Sequence, residues 1–449
     1  AEAPRAPASP VHADSTPDAG GDTPDVAPRE PGGAGHEMGM VPLGGGWSAM
    51  GMAQAFPIAT AGEPFDKDSP LNDTETYLTQ PAAMINLASP GQRLVLRTTL
   101  NFEAETQREG EYTFGGWGEG YLDKRHPHTF LHEAMLSLNV WNAPGGAFSL
   151  SAGKGFAPYG TDDPMSRPTV KYPTNHHLSQ VLERWTLNGV YLHRSGFSVE
   201  AGLFGGAEPE GPSDFGNIES FGDSWSARLT QRFGGGFGPA APWEVSASYA
   251  RLEEAHHGTK AVTHLANAAL RHERGYGFGK LYALAEASRS EPAGAADGYY
   301  SLLGETQLGL GRTGRHRPYY RAEYATRPEY DRGGTPGSDG FYRYDHDSHT
   351  RGSTRWLINT AGYGYDLTGS PLSLRPFVEV QHNRVWGGRG DVDPEALFGK
   401  DRFWSLSAGF RVFLGGGPMR MGSYGVLDPM SAAMRPGAPE HAGSGHGGH

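Results

Sequence analysis

The chain has 449 residues, no cysteine, a formal net charge of −12 at pH 7 and a mean hydropathy of −0.53. The lack of cysteine excludes disulfides, thiolate zinc sites, iron–sulfur clusters and thioether-linked haem, and the acidic balance argues against a nucleic-acid partner. No stretch approaches the roughly 20 consecutive apolar residues of a membrane helix, which excludes a helical membrane protein but not a membrane-spanning barrel.

The two ends of the chain are poor in large apolar side chains. Residues 1–40 are rich in Pro, Ala, Gly and Asp, and residues 418–449 in Gly, Met and His. Such segments bury too little surface to offset the entropy of ordering, so we expect a disordered arm and a flexible tail around a folded unit at 41–417. The chain starts at Ala1 without Met, which we interpret as a mature end left by removal of a signal peptide.

Between these ends, apolar and polar residues alternate in a long series of segments. A period of two indicates a strand, and charged residues on the second face suit a water-filled lumen. In the clearest segment one face carries Trp404, Leu406, Ala408, Phe410, Val412 and Leu414, and the other carries Ser405, Ser407, Gly409 and Arg411.

The pattern predicts about sixteen strands, and fourteen or eighteen remain open because alternation is weak in the first two segments and in 260–272. The segments lie near 46–58, 81–88, 92–103, 130–141, 146–155, 183–193, 196–206, 223–233, 242–252, 260–272, 275–288, 299–311, 317–326, 353–366, 371–383 and 402–414.

The links between these segments alternate in length. Ser89–Gly91 and Arg194–Gly196 are turn-like, whereas 104–129, 156–182 and 327–352 are long and polar. Short periplasmic turns alternating with longer extracellular loops are typical of outer-membrane barrels, and an even strand number puts both chain ends in the periplasm. The sequence therefore predicts an all-β fold: a transmembrane antiparallel up-and-down β-barrel in the bacterial outer membrane, surrounded by lipid.

Five motifs follow one another between residues 125 and 229. They are Arg125–His128, Gly160–Pro168, Pro173–His177, Glu208–Glu210 and Asp223–Leu229. In this order they resemble a family of uncharacterised, porin-like outer-membrane barrels of environmental bacteria. The resemblance is clear over roughly a quarter of the chain, between residues 125 and 233. It implies an outer-membrane barrel and transfers no functional residue.

A second resemblance rests on the segment His36–Met40, with Met50 and Met52 after it. A Met/His-rich periplasmic segment ahead of a barrel is similar to copper-resistance outer-membrane proteins of the CopB type. This resemblance implies binding or export of a metal such as copper.

Histidines gather in two of the long loops. His126, His128 and His132 flank the start of one strand, and His176 and His177 close the next long loop. Successive long loops share a rim, so these imidazoles can converge at the extracellular mouth and bind Zn²⁺, Cu²⁺ or Ni²⁺. The alternative is that they hydrogen-bond to backbone carbonyls and fix the loops.

Soft metal ligands also occur at both ends of the chain. Thioethers favour Cu(I), and histidines among glycines favour Cu(II) or Ni(II), which predicts metal capture in the periplasm. The alternative for 421–424 is packing under the barrel. The candidate ligands are His36, Met38, Met40, His441, His446 and His449.

The alternation also predicts which charged residues line the lumen. Charges of both signs suit a water-filled channel that selects solutes, and 104–129 and 156–182 are long enough to fold inward and constrict it. The predicted lining residues are Arg93, Arg97, Glu133, Arg228, Glu244, Arg321, Glu323, Arg375, Glu379 and Arg411.

We therefore expect a porin-like passive channel for small polar solutes or ions. A copper-type metal-binding or export component and a surface structural or binding protein are the alternatives. No nucleophile-elbow, Walker A or Rossmann motif stands in a suitable context, so an enzyme is not expected. No cofactor is required, although Cu or Zn is possible, and oligomers are possible too.

Overall fold

Strands dominate the computed structural model of the chain. The chain divides into two units, Ala1–Ala34 and Gly35–His449, and every described residue belongs to the second of them. The structure describes residues 40–433 except 70, 107–127, 174–175, 210, 217, 235–240, 257–258, 293–297, 312, 330–351, 369–370, 391 and 416–418.

The described residues contain eighteen strands, most of them ten residues or longer. They are β1 (Met40–Gly44), β2 (Trp47–Gly62), β3 (Asp73–Ala88), β4 (Leu94–Asn101), β5 (Leu131–Ala143), β6 (Gly146–Gly155), β7 (Arg184–His193), β8 (Phe197–Phe204), β9 (Ser224–Phe233), β10 (Trp243–His256), β11 (Thr259–Tyr276), β12 (Gly279–Pro292), β13 (Tyr299–Leu310), β14 (His316–Glu329), β15 (Gly352–Tyr365), β16 (Leu367–Thr368), β17 (Leu372–Gly387) and β18 (Arg402–Leu414).

Sixteen of these strands form one closed antiparallel barrel. Each strand from β2 to β14 pairs with the next, β15 pairs with β17, and β18 pairs with both β17 and β2. The remaining two are a short strand paired with β2 and a two-residue strand paired with β17. Closure leaves no open edge in the wall, which is the requirement for a sheet that spans a membrane. The predicted fold and strand number are confirmed.

The two faces of the wall differ as the alternation predicts. On β5, Leu136 and Leu138 are about half exposed on the outside, whereas Ser137 and Asn139 point inward and are 3% exposed. The outer face thus presents Leu, Val and aromatic side chains, and the inner face is largely polar. An apolar outer band of this kind is what a lipid bilayer requires of a transmembrane barrel.

Strand bounds differ from the prediction mainly where alternation is weak. β3 begins at Asp73 rather than near 81, and β11 runs through 273–275, where a turn was expected. Its register with β12 is continuous from Thr263–Pro292 to Tyr276–Gly279. Ladder hydrogen bonds therefore override a local turn signal at this position.

The length of the links distinguishes the two ends of the barrel. We call the end at which β2 and β6 end and β7 begins the long-loop rim, and the opposite end, bearing 144–145 and 194–196, the short-turn rim. β2 starts and β18 ends at the short-turn rim, as an even strand number requires.

Helices in the described residues are short, and none of them has the length and apolar character of a membrane span. They are α1 (Glu103–Thr106), α2 (His176–Ser179), α3 (Pro394–Phe398) and α4 (Pro429–Ala433).

Candidate functional site

The inner wall carries nine of the ten predicted lumen-lining charges. Arg375 is half-buried and the other eight are buried, namely Arg97, Glu133, Arg228, Glu244, Arg321, Glu323, Glu379 and Arg411. The expectation for Arg93 needs correction, because this residue lies exposed in the turn before β4, outside the alternating part of the strand.

The long link between β6 and β7, which we call the lumen loop (156–182), folds into the barrel. Arg411 on β18 donates to the carbonyl oxygens of Arg167 (3.0 Å) and Pro168 (2.9 Å). Arg321 on β14 donates to the carbonyl oxygen of Lys171 at 3.0 Å. These strands stand across the barrel from β6, so the loop crosses the lumen. The predicted inward folding of 156–182 is confirmed.

Gly160 marks the point at which the lumen loop doubles back on itself. Its φ is +68°, and a Cβ at this position would lie 1.5 Å from the carbonyl oxygen of Ser179. The Gly160 amide donates to Ser248 Oγ at 2.8 Å, and its carbonyl accepts from Arg228 at 3.2 Å. Only glycine combines this backbone conformation with so close an approach.

A second insert comes from the C-terminal part of the chain. Residues 419–433, which we call the tail insert, turn back into the lumen beyond β18. Tyr424 donates to Glu133 Oε1 at 2.7 Å, and Asp428 forms an ion pair with Arg97 at 3.2 Å. The flexible tail expected from residue 418 onward needs correction for 419–433, and the alternative of packing for 421–424 agrees with these contacts. Burial of Val426, Leu427 and Met430 provides the physical reason for their order.

Arg420 joins the two inserts to the wall. Its Nε donates to both oxygens of Asp162 on the lumen loop, at 2.9 and 2.8 Å, and its guanidinium also forms an ion pair with Glu244 on β10. Glu244 in turn pairs with Arg232 (3.2 Å) and Arg271 (3.2 Å). The inserts are therefore held by charged hydrogen bonds, which are stronger than neutral ones.

Together the inserts occupy much of the lumen. Arg97 is 2% exposed, Arg321 1% and Arg411 2%, although all three lie on the inner face. In an open aqueous channel such side chains would contact water. Around these three residues the described part of the lumen is filled by protein rather than by water.

Methionines line one sector of the same lumen. Eight of the eleven in the chain belong to one apolar cluster, which also contains Phe156 and Tyr424. Met430 Sδ accepts a hydrogen bond from Asn86 Nδ2 at 2.7 Å. We call this cluster the methionine sector, and its thioethers come from Met50, Met52, Met84, Met135, Met165, Met419, Met421 and Met430.

Histidines meet at the long-loop rim, as the sequence predicts for part of the set. His128 Nδ1 and His132 Nδ1 lie 3.3 and 2.5 Å from Glu183 Oε1. The ring of His176 is 5.9 Å from that of His128 and stacks on Tyr172. We call His128, His132 and Glu183 the histidine cluster. A buried group of this composition can hold a metal ion.

Carboxylates set the charge of the histidine cluster. Glu103 Oε2 lies 3.6 Å from His128 Nε2. Burial lowers the pKa of His128, but the hydrogen bond to Glu183 and the charges of Glu103 and Glu183 outweigh it and raise the pKa to about 9. Burial raises the pKa of Glu183, but its bonds to His128 and His132 hold it well below the usual range. The two carboxylates thus favour the protonated form of His128 when no ion is bound, and a metal ion would displace that proton.

Most of the other predicted metal ligands lie outside the described residues. Met40 is exposed in β1, and the side chain of His177 is outside the described set. The ligands that lie wholly outside it are His36, Met38, His126, His441, His446 and His449.

Several residues at these sites are not anticipated by the sequence pattern. Glu183 and Glu103 carry no motif, and their partners are distant along the chain. The tail insert does carry a signal, because Val426, Leu427 and Met430 form an apolar group within an otherwise Gly- and Pro-rich tail.

No protein-family profile and no curated protein matches the chain. Solved structures with a similar backbone include an anion-selective porin from Comamonas acidovorans, with 11% identity, TM-score 0.45, and 82% of this chain and 99% of that one covered. OprB of Pseudomonas putida has 10% identity, TM-score 0.47, and coverage of 82% and 94%. OmpF of Salmonella typhi has 13% identity, TM-score 0.43, and coverage of 82% and 98%.

Proposed function

We propose that the protein is an outer-membrane channel for small polar solutes or ions whose lumen is closed by its own lumen loop and tail insert. A barrel of sixteen strands leaves an aqueous channel unless loops fill it. The inner face of the wall is suited to contact with water, because charged residues of both signs alternate with the lipid-facing residues along the strands. The inserts, rather than collapse of the wall, close the lumen.

The contacts of Arg420 with Asp162 and Glu244 carry the proposal. They tie the tail insert to the lumen loop and the wall through side chains. The insert pairs with no strand among the described residues, although Met421 O accepts a backbone hydrogen bond from the Asp163 amide of the lumen loop at 3.4 Å. Such contacts can be exchanged for water without breaking the barrel, whereas removal of a strand would destroy it. We therefore infer that the tail insert is the movable part and that its withdrawal opens a path.

Planar-bilayer recordings test this proposal. We expect the full-length protein to open rarely, and Arg420→Ala or deletion of 419–449 to give frequent conductance steps. Arg402→Ala is the matched control, because Arg402 is exposed and pairs only at 3.8 Å with its neighbour Asp401. Folding of each variant is checked by its heat-dependent electrophoretic mobility.

Two outcomes contradict the proposal. A truncated barrel that folds but never conducts would mean that the lumen loop alone seals the lumen. A full-length protein with the same frequent, large steps as the truncated one would mean that the tail insert closes nothing.

A second candidate function, binding of soft metal ions in the lumen, is favoured by the methionine sector. Thioether ligands prefer soft ions such as Cu(I). Methionine also fills irregular gaps in cores, so the two explanations need a direct test. Ag⁺ serves as the probe, and Met84→Leu with Met430→Leu keeps the packed volume while removing two sulfurs.

If the sector binds soft ions, the double variant should bind Ag⁺ more weakly than the wild type in a calorimetric titration. Met40→Leu is the control, because Met40 is exposed and lies outside the cluster. Equal affinity for Ag⁺ in all three proteins would show that the methionines serve to pack the lumen rather than to bind ions.

A further inference from the structure

Three potential ligands from separate parts of the chain meet at the long-loop rim. His128 precedes β5, His132 lies on β5, and Glu183 immediately precedes β7. One nitrogen of each imidazole and one oxygen of Glu183 lie within 4.8 Å of one another, and all three residues are buried. We propose that the histidine cluster binds a divalent metal ion of borderline hardness, such as Zn²⁺.

The spacing of the ligand atoms fits such an ion. Ligands about 2.1 Å from a tetrahedral ion lie roughly 3.4 Å from one another. His128 Nδ1 and Glu183 Oε1 are already 3.3 Å apart. His132 Nδ1, at 2.5 Å from the same oxygen, has to move outward by about 1 Å. Side-chain rotation supplies shifts of this size without moving the strands.

The surrounding hydrogen bonds orient these ligands. A metal-bound histidine usually presents its second ring nitrogen to a carboxylate, and Glu103 Oε2 lies 3.6 Å from His128 Nε2. Glu103 accepts hydrogen bonds from the hydroxyl of Tyr172 at 3.0 and 3.1 Å. Both oxygens of Glu183 accept from the amide of Thr129, at 3.0 and 3.1 Å. The ligands are thus held in place by residues that do not contact the ion.

Two further features set this cluster apart from an ordinary hydrogen-bonded group. His132 is 0% exposed, and its Nε2 has no hydrogen-bond partner among the described residues. Glu183 has a φ of +58°, a conformation that costs a non-glycine residue about 1–3 kcal/mol. A strained residue of this kind is common at ligand-binding sites, whereas His132 Nε2 lies on the other side of the ring from the ligand atom Nδ1 and is left for a water to satisfy.

Binding of an ion would join the ends of β5 and β7 and the end of the lumen loop. It would therefore stabilise the folded barrel in proportion to its occupancy. A borderline ion suits this donor set of two imidazoles and one carboxylate, whereas Mg²⁺ and Ca²⁺ prefer oxygen ligands alone.

Calorimetric titration of Zn²⁺ into metal-stripped full-length protein at pH 7 tests the site. We expect binding at this site with a Kd below about 1 µM. His132→Ala and His128→Gln should each weaken it at least tenfold, and Glu103→Gln should weaken it by about 10- to 100-fold through loss of orientation. Co²⁺ should give a visible absorption band typical of tetrahedral coordination, which these variants should lose.

Two controls separate this site from other histidines. His193→Ala removes an exposed histidine that is bonded to Ser195 at the short-turn rim, and a triple alanine variant removes His441, His446 and His449. Both should retain the tight site. Wild-type binding no tighter than about 0.1 mM overturns the proposal, as does unchanged affinity in His132→Ala, or in His128→Gln if the first variant does not fold.

Discussion

The hydroxyl of Tyr424 donates to Glu133 Oε1 at 2.7 Å and accepts from the amide of Phe156 at 2.9 Å. Tyr424 and Glu133 are 291 positions apart in the chain. Glu133 belongs to β5, whereas Tyr424 belongs to the tail insert. This hydrogen bond therefore holds part of the tail inside the barrel. Glu133 is also paired with Arg97 at 3.3 Å, which joins Tyr424 to the charged network of the wall.

Replacement of Tyr424 by phenylalanine should loosen the tail insert. The change removes a hydrogen bond to an ionised carboxylate, which is worth about 1.5–3 kcal/mol. Since 1.4 kcal/mol is a tenfold change in an equilibrium constant, channel openings should become at least roughly tenfold more frequent in bilayer recordings. Tyr191→Phe is the control, because its hydroxyl bonds at the exposed turn to Pro144. Equal opening frequencies in both variants would show that the pair does not hold the insert.

Gly425 allows a test that leaves every charge unchanged. Its φ is +66°, and a Cβ there would lie 2.0 Å from Ser149 Oγ. Gly425→Ala should therefore displace the tail insert and increase protease cleavage of the tail. Gly91→Ala is the matched control, because Gly91 has the same φ of +66° but nothing within 4 Å of its Cβ position. Tail cleavage that is no faster in Gly425→Ala than in Gly91→Ala would contradict the prediction.

A buried ion pair connects the wall to both inserts. Arg228 binds Glu200 through two hydrogen bonds of 2.8 and 2.7 Å, and it also donates to the carbonyl oxygens of Gly160 and Gly422. Glu200→Gln leaves the guanidinium without its counter-charge and should lower the free energy of unfolding by about 3–5 kcal/mol. Denaturant titration of the folded barrel measures this loss.

The exposed pair between Arg289 and Glu291 provides the comparison for that measurement. Both side chains are about half exposed or more, so Glu291→Gln should change the free energy of unfolding by less than about 1 kcal/mol. A similar loss in the two variants would mean that the Glu200–Arg228 pair is solvated rather than buried.

Asp366, at the short-turn rim, should make the stability of the protein depend on pH. Burial opposes its ionisation, but Arg375 and Arg317 outweigh burial and lower the pKa of Asp366. Arg411, which is paired with Arg375 across β17 and β18, also interacts electrostatically with Asp366. The pKa of Asp366 in the folded protein is below its value of about 3.9 in the unfolded chain. The ionised carboxylate therefore makes its full contribution to the free energy of unfolding above about pH 3.9. This contribution is lost as pH falls through the folded pKa.

Denaturant midpoints measured at decreasing pH should therefore fall more steeply below about pH 4 in the wild type than in Asp366→Asn. Parallel pH curves for the two proteins would show that this carboxylate does not contribute. Asp68→Asn is a suitable control, because Asp68 is exposed in the link between β2 and β3.

The alternation of side chains determined the architecture without any tertiary information. Residues 403–414 show their two faces directly in the sequence, and the contrast between the turn Arg194–Gly196 and the loop 156–182 indicates which rim is which. These features are local: a strand in a barrel needs an apolar residue at every second position, and the bilayer imposes that need along the whole wall. Convergence of His128, His132 and His176 also followed, because successive long loops share a rim.

Only the tertiary structure decided what fills the lumen. The pair of Arg97 with Asp428 joins residues 331 positions apart, and that of Lys171 with Ser405 joins residues 234 apart. Polar side chains on an inner face satisfy the same alternation whether they meet water or another part of the chain. The pattern therefore cannot distinguish an open channel from a closed one, and Glu183 enters the histidine cluster solely through the path of the lumen loop.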